Sequence, residues 1–331
     1  MDDVLRMAHR EFPAIAVGQD VVRRCEDEVE IDSRVAQGAE RFEAGHDHRL
    51  ASRAVGPKTG ASSDDGWQDG RVDGQLVLCD LDGVVWLAHR PIPGSVEAIA
   101  ELRASGWRVM FVTNNSSSPV SAVEESLASI GVPAVGDVVT SAAAGASLVS
   151  PGERVLVCGG PGIHEEIERR RAEIVSHLDA ERAPDAVDTV IVGFHREFDF
   201  EVMRRAATAV RAGARLIGTN DDATYPTPDG PIPGGGSILA AIATASGVDP
   251  IVAGKPHAPM AEVVRRIVGG VPQTAVMVGD RPSTDGLFAR TLGCRYALVR
   301  SGVVAPGEVV DGDLEIHVDE LDLAAVARSL R

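Results

Sequence analysis

The stretch Leu76-Val77-Leu78-Cys79-Asp80-Leu81-Asp82-Gly83-Val84-Val85 decides how the rest of this chain is read. Four apolar residues in a row, Leu76–Cys79, fit a short buried strand. Two carboxylates, Asp80 and Asp82, stand at its carboxyl end, and Gly83 lets the backbone turn sharply after them. In an open parallel α/β sheet, ligands bind in the crevice beyond the carboxyl ends of the strands, so both acids would project into a site. Carboxylates this close repel one another unless a cation or a proton lies between them. Taken alone, the stretch reads equally well as a strand followed by an acidic turn, and the downstream sequence has to decide.

Outward from it, strand and helix alternate. Pro93-Gly94-Ser95 opens a helix carrying Val96, Ile99, Ala100 and Leu102 and closed by Ser105-Gly106. A second strand, Arg108–Val112, runs into Thr113-Asn114-Asn115-Ser116, and helices are predicted over roughly 119–130 and 141–149. Strands follow at Arg154–Cys158, Thr189–Val192 and Arg215–Gly218, with helices near 162–171 and 200–212. Further on, Pro250–Ala253 leads to Gly254-Lys255-Pro256, Thr274–Val278 to Gly279-Asp280, and Arg295–Val299 to Arg300-Ser301-Gly302, before a closing helix over Leu321–Leu330. Such alternation predicts an α/β fold, a parallel sheet covered on both faces with right-handed crossovers. Gly159-Gly160-Pro161-Gly162 and Pro233-Gly234-Gly235-Gly236-Ser237 read as glycine turns before helices. Neither matches GxGxxG, and Pro161 has no N–H to donate, which argues against a dinucleotide site.

Upstream of the stretch the composition changes. Residues 1–72 are rich in charge and in Ala, Gly and Ser, and their apolar spacing (Val22, Val29, Ile31, Val35) is ragged. A mobile appendage is expected there, with a regulatory or docking helix and a misassigned start as the alternatives. The whole chain, 331 residues and 44% hydrophobic, has room for one large or two ordinary domains and a sizeable core. With aromatics at only 4%, that core must be mostly Val, Ala, Leu and Ile. A net charge of −17 excludes unspecific nucleic-acid binding, which needs a basic surface. The cysteines (Cys25, Cys79, Cys158, Cys294) form no CxxC, so neither a zinc site nor a disulfide framework is read. Met1-Asp2-Asp3-Val4 lacks the basic start of a signal peptide, and no apolar run approaches a membrane span. The expectation is a soluble cytoplasmic protein with neither nucleic acid nor membrane as partner.

Four strand ends thus carry polar groups: Asp80 with Asp82, Thr113 with Asn114, Lys255, and Asp280 with Asp285. Singly each is ordinary, since Thr-Asn after a strand is usually a turn or helix cap and a lone Lys is usually solvated. At the ends of four successive core strands they would converge on one edge. That set suits phosphoryl transfer. A hard, oxygen-ligated divalent cation, Mg²⁺ by softness and charge, fits between Asp80 and Asp280 and neutralises a substrate phosphate. Asp80 can attack phosphorus to give an aspartyl-phosphate. Asp82 can protonate the leaving alkoxide and then activate water, general acid–base work worth ~10²–10⁴-fold. Thr113, the main-chain N–H groups near Leu81–Asp82 and Asn114, and the Lys255 ammonium would hold the equatorial oxygens.

In these same stretches, Asp80-Leu81-Asp82-Gly83-Val84, Thr113-Asn114-Asn115-Ser116, Gly254-Lys255-Pro256 and Gly279-Asp280-Arg281-Pro282-Ser283-Thr284-Asp285, the chain resembles the haloacid-dehalogenase (HAD) phosphatases, most closely their NagD-like or 4-nitrophenylphosphatase-like subgroup. The resemblance covers about 75–331. From Asp82 to Thr113 there is room only for a helix and a strand. From Thr113 to Lys255 there is far more than one crossover needs, so a second domain must be inserted. The family places its larger α/β cap there. The resemblance therefore implies a Rossmann-like HAD core over 73–150 and 248–331 with an α/β cap over 151–247. Val192-Gly193-Phe194 with Arg196 and Phe198, Thr219-Asn220-Asp221-Asp222 with Tyr225-Pro226, and Pro233–Ile238 resemble cap stretches of the same subgroup.

By that resemblance Asp80 is the nucleophile, Asp82 the acid/base, and Thr113, Asn114 and Lys255 the phosphate binders. Mg²⁺ is held by the Asp80 carboxylate, the Asp82 carbonyl and Asp280, with Asp285 beside them. Three positions depart from the family pattern: Trp86, which would narrow the entrance; Gly286, which would loosen a helix start; and Asp221, where Pro is common. A closing cap excludes water and contacts the leaving group, so specificity is expected from cap residues, with His195, Arg196, Asp222 and Tyr225 as candidates. Small phosphometabolites are the implied substrates, glycerol 3-phosphate or 2-phosphoglycolate before nucleoside monophosphates or pyridoxal phosphate. Caps of the family often pair, so a homodimer is an implication too. The competing classes are a receiver-like phospho-accepting protein, which would lack an inserted domain, and a non-catalytic phosphate-binding regulator, which should have lost one of Asp80, Asp82, Lys255 or Asp280.

Overall fold

Leu76–Cys79 lies in the middle of a six-stranded parallel sheet in the computed structural model, which describes residues 75–331 apart from Pro226, Pro228, Asp229 and Asp311. The appendage expected over 1–72 and the pattern around Cys25 lie outside the described residues. Strand order across this first sheet is Val318–Glu320, Arg295–Val299, Val276–Gly279, Leu76–Cys79, Arg108–Thr113 and Val138–Thr140. Registers such as Val77 opposite both Val276 and Val109 keep alternate residues on a common face. Val77 and Cys79 join Val109, Phe111, Val276 and Val278 under the helices Ser95–Ala104, Val120–Ser129 and Leu323–Ser329. Leu76 and Leu78 join Met110, Val112 and Met277 on the other face, under Ala258–Val268 and Leu287–Leu292. A strand buried on both faces has to be apolar at every position, which is why the four-residue run reads so plainly. Each fully buried Val or Leu contributes roughly 1.5–3 kcal/mol, so the strand is anchored from both sides.

The insertion between Thr113 and Lys255 builds a second parallel sheet of five strands: Ile251–Val252, Arg215–Gly218, Thr189–Val192, Arg154–Cys158 and Glu173–Val175. The helices Phe200–Arg211 and Gly235–Ser246 cover one face through Ala206, Ala209, Ile238 and Ile242. Pro161–Arg169 covers the other through Ile163 and Ile167. The short helix Ser141–Ala146 serves both sheets, with Ala144 in a core of the first and Ala142 and Ala146 in a core of the second.

One expectation is corrected here. Pro250–Ala253 was expected as a strand of the first sheet, but Ile251 and Val252 pair with Ile217 and Gly218 at the edge of the second. Lys255 therefore enters the site from the second sheet, and three of the four polar strand ends, not four, belong to the first. A two-residue edge strand carries no pattern that says which sheet receives it. The strands Glu173–Val175, Val138–Thr140 and Val318–Glu320, three residues each, were equally too short to register. Two antiparallel ribbons complete the fold, Trp86–Leu87 with Arg90–Pro91 and Thr224–Tyr225 with Ile232–Pro233. The first turns through Ala88 and His89, both at positive φ (49° and 63°), as a two-residue hairpin of right-handed strands requires.

Candidate active site

The residues after the strands of the first sheet are brought together. Asp80 is fixed by its main-chain N–H, which donates to the Val278 carbonyl at 2.9 Å. Asp280 follows Val276–Gly279, and its Oδ2 accepts from the Val303 N–H at 2.7 Å. Gly83, at φ +85°, and Gly302 press against this carboxylate, and a Cβ at either position would overlap it. Asp285 is carried by a π-helical turn, Pro282–Gly286, and its Oδ2 accepts from the Arg281 N–H at 3.1 Å. Such turns, rare elsewhere, recur at functional sites. Oxygens of Asp80, Asp280 and Asp285 lie within 4.8 Å of one another.

Into this trio reaches Lys255, whose Nζ donates to Asp80 Oδ1 at 2.6 Å and to Asp285 Oδ1 at 2.7 Å. The side chains of Lys255 and Asp285 are only 2% and 1% exposed, while Asp80 keeps 13%, so Asp80 is the member that can meet a ligand. Burial drives the Asp80 carboxyl well above its ordinary range, against the pull of Lys255. Burial, and then the neighbouring Asp285, push Asp280 up to about 6. Burial pulls the Lys255 ammonium down, but Asp285 and Asp80 outweigh it and hold its proton more tightly than usual. Three buried carboxylates around one ammonium leave an excess of negative charge, and every donor is a hard oxygen. The set fits a divalent cation of the Mg²⁺ type.

Asp82 stands outside this trio, so any contribution it makes to a metal is not through its carboxylate alongside the other three. It lines the adjoining cavity, and burial raises its carboxyl above the ordinary range. Thr113, buried, ends the neighbouring strand, and its Oγ1 accepts from the Asn115 N–H at 3.1 Å. Asn114 follows Thr113 at the same strand end. Its side-chain amide is spent on protein: Oδ1 accepts from the Lys255 N–H at 2.8 Å, and Nδ2 donates to the Lys255 carbonyl at 3.0 Å and to Asp222 Oδ2 at 2.9 Å. Phosphate binding by Asn114 would fall to its main chain.

The trio opens into a cavity of about 670 Å³, well within the size of small-molecule sites. Of the expected specificity residues, Asp222 and Tyr225 line it, and His195 and Arg196 are not among the lining residues. After Thr189–Val192 the chain turns so that Phe194 faces the cavity, stacked on Tyr225 at 4.8 Å between ring centres and 6° between planes. His195 instead lies edge-on to Phe198. A loop has no period from which to read that choice. Trp86 does not narrow the entrance. It is buried in the first sheet's core, and the ribbon residues Leu87, Ala88, Arg90 and Pro91 border the cavity instead. At Gly286 the π-turn runs directly into Leu287–Leu292, and a Cβ there would overlap Leu314. Asp221 faces His257 Nε2 at 3.1 Å.

Arg281 is the site residue that sequence reasoning passed over. Its Nη1 donates to Asp222 Oδ1 at 3.2 Å while its main chain holds Asp285. The available signal was a lone cation directly after Asp280 in an acid-rich motif.

The sequence pattern of the haloacid dehalogenase-like hydrolases matches residues 77–172, and a second pattern described as HAD-hydrolase-like matches residues 252–324. A 5′-nucleotidase of Bacillus subtilis is 31% identical over 249 residues, 74% of this chain and 94% of that one. This chain belongs to the haloacid dehalogenase-like hydrolases. Within that family it falls among the NagD-like phosphatases, the phosphoric monoester hydrolases. A D-glycerol 3-phosphate phosphatase of Mycobacterium tuberculosis is 38% identical over 240 residues, 71% of this chain, and the match spans 65% of that relative's length. The crystal structure of a glycerol phosphate phosphatase from the same organism in complex with magnesium superposes with a TM-score of 0.69 at 33% identity, covering 77% of this chain and 76% of that one. The HAD arrangement, a Rossmann-like core sheet with an inserted α/β cap, is the one seen in the two sheets here. No described helix is long and apolar enough to cross a membrane.

Proposed function

We propose that this HAD hydrolase is an Mg²⁺-dependent phosphomonoesterase that works through an aspartyl-phosphate on Asp80. The observation that carries the reading is the meeting of Asp80, Asp280, Asp285 and Lys255, of which Asp80, Asp280 and Lys255 line the cavity. In this reading the core is 75–150 with 253–331, and the second sheet, 151–252, is the cap. Mg²⁺ bound by Asp80, Asp280, Asp285 and the Asp82 carbonyl supplies positive charge against the phosphate oxygens. Lys255 pulls against the burial that favours protonated Asp80 and holds its Oδ1 in place. Asp80 Oδ forms a bond to phosphorus as the bond to the leaving oxygen breaks, and Asp82, holding its proton through burial, passes it to that oxygen. Asp82 then takes a proton from the water that attacks phosphorus, and inorganic phosphate and free Asp80 result. Thr113 and the main-chain N–H groups around Leu81–Asp82 and Asn114 hold the equatorial oxygens.

For the substrate, glycerol 3-phosphate or 2-phosphoglycolate is the first reading, supported by the 38% identical relative that is a D-glycerol 3-phosphate phosphatase. The stacked Phe194–Tyr225 wall favours a second, a flat leaving group such as a nucleoside or pyridoxal, because a planar ring can extend that stack. Cys79, Cys158 and Cys294 are free thiols, which suits work in the reducing cytoplasm. A panel of phosphometabolites, each assayed with Mg²⁺ and with EDTA, tests the reading. Turnover that is indifferent to chelation, or that persists in Asp80→Asn, would overturn it.

A further inference from the structure

The cap residue Asp222 lines the cavity, yet both its oxygens are taken by the core. Asn114 Nδ2 donates to Oδ2 at 2.9 Å, and Arg281 Nη1 donates to Oδ1 at 3.2 Å. From Arg281 the contacts run on. Its N–H donates to Asp285 Oδ2 at 3.1 Å, and the other oxygen of Asp285 accepts from Lys255 Nζ at 2.7 Å. The N–H of Lys255 returns to Asn114 Oδ1 at 2.8 Å. These five residues close a ring. Its members come from both sheets: Asn114 follows a first-sheet strand, Arg281 and Asp285 follow another, Lys255 follows the second sheet's edge strand, and Asp222 follows Arg215–Gly218. A further cap residue, Asn220, ties the same corner by donating from Nδ2 to the Asn114 carbonyl at 2.7 Å, while its Oδ1 accepts from the Asp222 N–H at 3.2 Å.

We propose that Asp222 is a positioning residue: seated on Asn114 and Arg281, it closes the ring that aligns Lys255 and Asp285, so that the site is complete only with the cap in place. This inference rests on the phosphatase reading of the same site. It differs from the expectation that Asp222 reads the leaving group, because each of its oxygens already holds a core group in place, so losing the carboxylate breaks the ring whatever substrate is bound. The two roles separate cleanly. A residue that contacts the leaving group matters to some substrates and not others, whereas one that aligns Lys255 and Asp285 matters equally to all.

The test compares the full chain with Asp222→Ala, Asp222→Asn and Arg281→Gln on 4-nitrophenyl phosphate, glycerol 3-phosphate and a nucleoside monophosphate. Expected for Asp222→Ala is a fall in kcat on the order of 10–100-fold, the same for every substrate, with KM little changed, since two charge-assisted hydrogen bonds are lost. Asp222→Asn, which keeps one acceptor, should recover part of it. The double variant Asp222→Ala/Arg281→Gln should be no worse than the more impaired single variant, because both cut one ring. The second readout needs no turnover. Amide hydrogen exchange at Lys255 and Arg281, whose N–H groups lie in the ring, should quicken about tenfold in Asp222→Ala, while the first-sheet amides of Val77 and Met277 keep their wild-type rates. Loss confined to one substrate, additive effects in the double variant, or unchanged exchange at Lys255 and Arg281 would each overturn the ring. A wild-type protein inactive on every phosphomonoester would sink the phosphatase reading instead, and the exchange measurement would still decide the ring.

Discussion

The two sheets obey the same rules and finish differently. Each is wholly parallel, each is buried on both faces, and each directs its strand ends toward a crevice. The first ends its central strands in acidic groups, Asp80, Asp280 and Asp285, with oxygens within 4.8 Å of one another. The second ends Thr189–Val192 and Arg215–Gly218 in Phe194 and in Thr219–Asp222, an apolar ring and a set of core-binding amides and acids. Topology alone therefore does not make a sheet edge reactive. The reactive edge is the one where burial and mutual repulsion raise the energy of the charges by more than the shared ammonium offsets, so that a cation is welcome.

The comparison breaks first if the reactive edge can be dismantled without consequence. Asp80→Asn should abolish turnover, a loss of ~10³-fold or more on every substrate, measured with 4-nitrophenyl phosphate at saturating Mg²⁺. Lys255→Met should cost nearly as much activity and, by leaving Asp80 and Asp285 buried without their cation, about 3–5 kcal/mol of stability in urea melts.

Next in size is the link between metal and pH. Because Asp280 is raised from 3.8 to about 6, the metal-free folded state holds a proton that the unfolded chain has already released between those values. Its stabilisation is therefore complete below about pH 4 and is lost as pH rises through about 6, a change of at most about 3 kcal/mol. Thermal melts in EDTA should show stability falling over that window. Mg²⁺ should restore it at pH 7 and act little at pH 5, since the ion competes with that proton. A metal effect independent of pH would contradict the shared-charge account of this edge.

The smallest effects belong to the second sheet and sharpen the contrast. Phe194→Ala or Tyr225→Ala should leave turnover of glycerol 3-phosphate within about threefold and raise KM for a flat-ringed substrate about tenfold, the scale of one aromatic stack. A uniform loss across substrates would make these rings part of the reactive edge and erase the distinction.

How much of this was legible depends on how far each feature relies on its neighbours in sequence. Leu76–Cys79, Arg154–Cys158, Thr189–Val192 and Arg215–Gly218 were readable to the residue, because the doubly buried centre of a strand must be apolar. The acids Asp80, Asp82 and Asp280 and the ammonium of Lys255 stood out because charge close after an apolar run is costly without a use, and Asp285 because it shares a short motif with Asp280. The sheet that receives Ile251–Val252 was not readable, since two residues at an edge pair with whatever lies beside them. Nor was the choice of Phe194 over His195 and Arg196, which a loop's turn makes. The commitment of Asn114 and Asp222 to each other was equally hidden, as they lie 108 residues apart.

By itself, then, the sequence determined the α/β class through its alternation, room for an inserted domain through its spacing and, through the resemblance of its motifs, the family and the chemical groups expected at a site. Tertiary structure decided which side chains are spent on one another and which face the cavity. A hydrogen bond depends on a few tenths of an ångström between groups brought together only by packing, and no pattern along the chain records that distance.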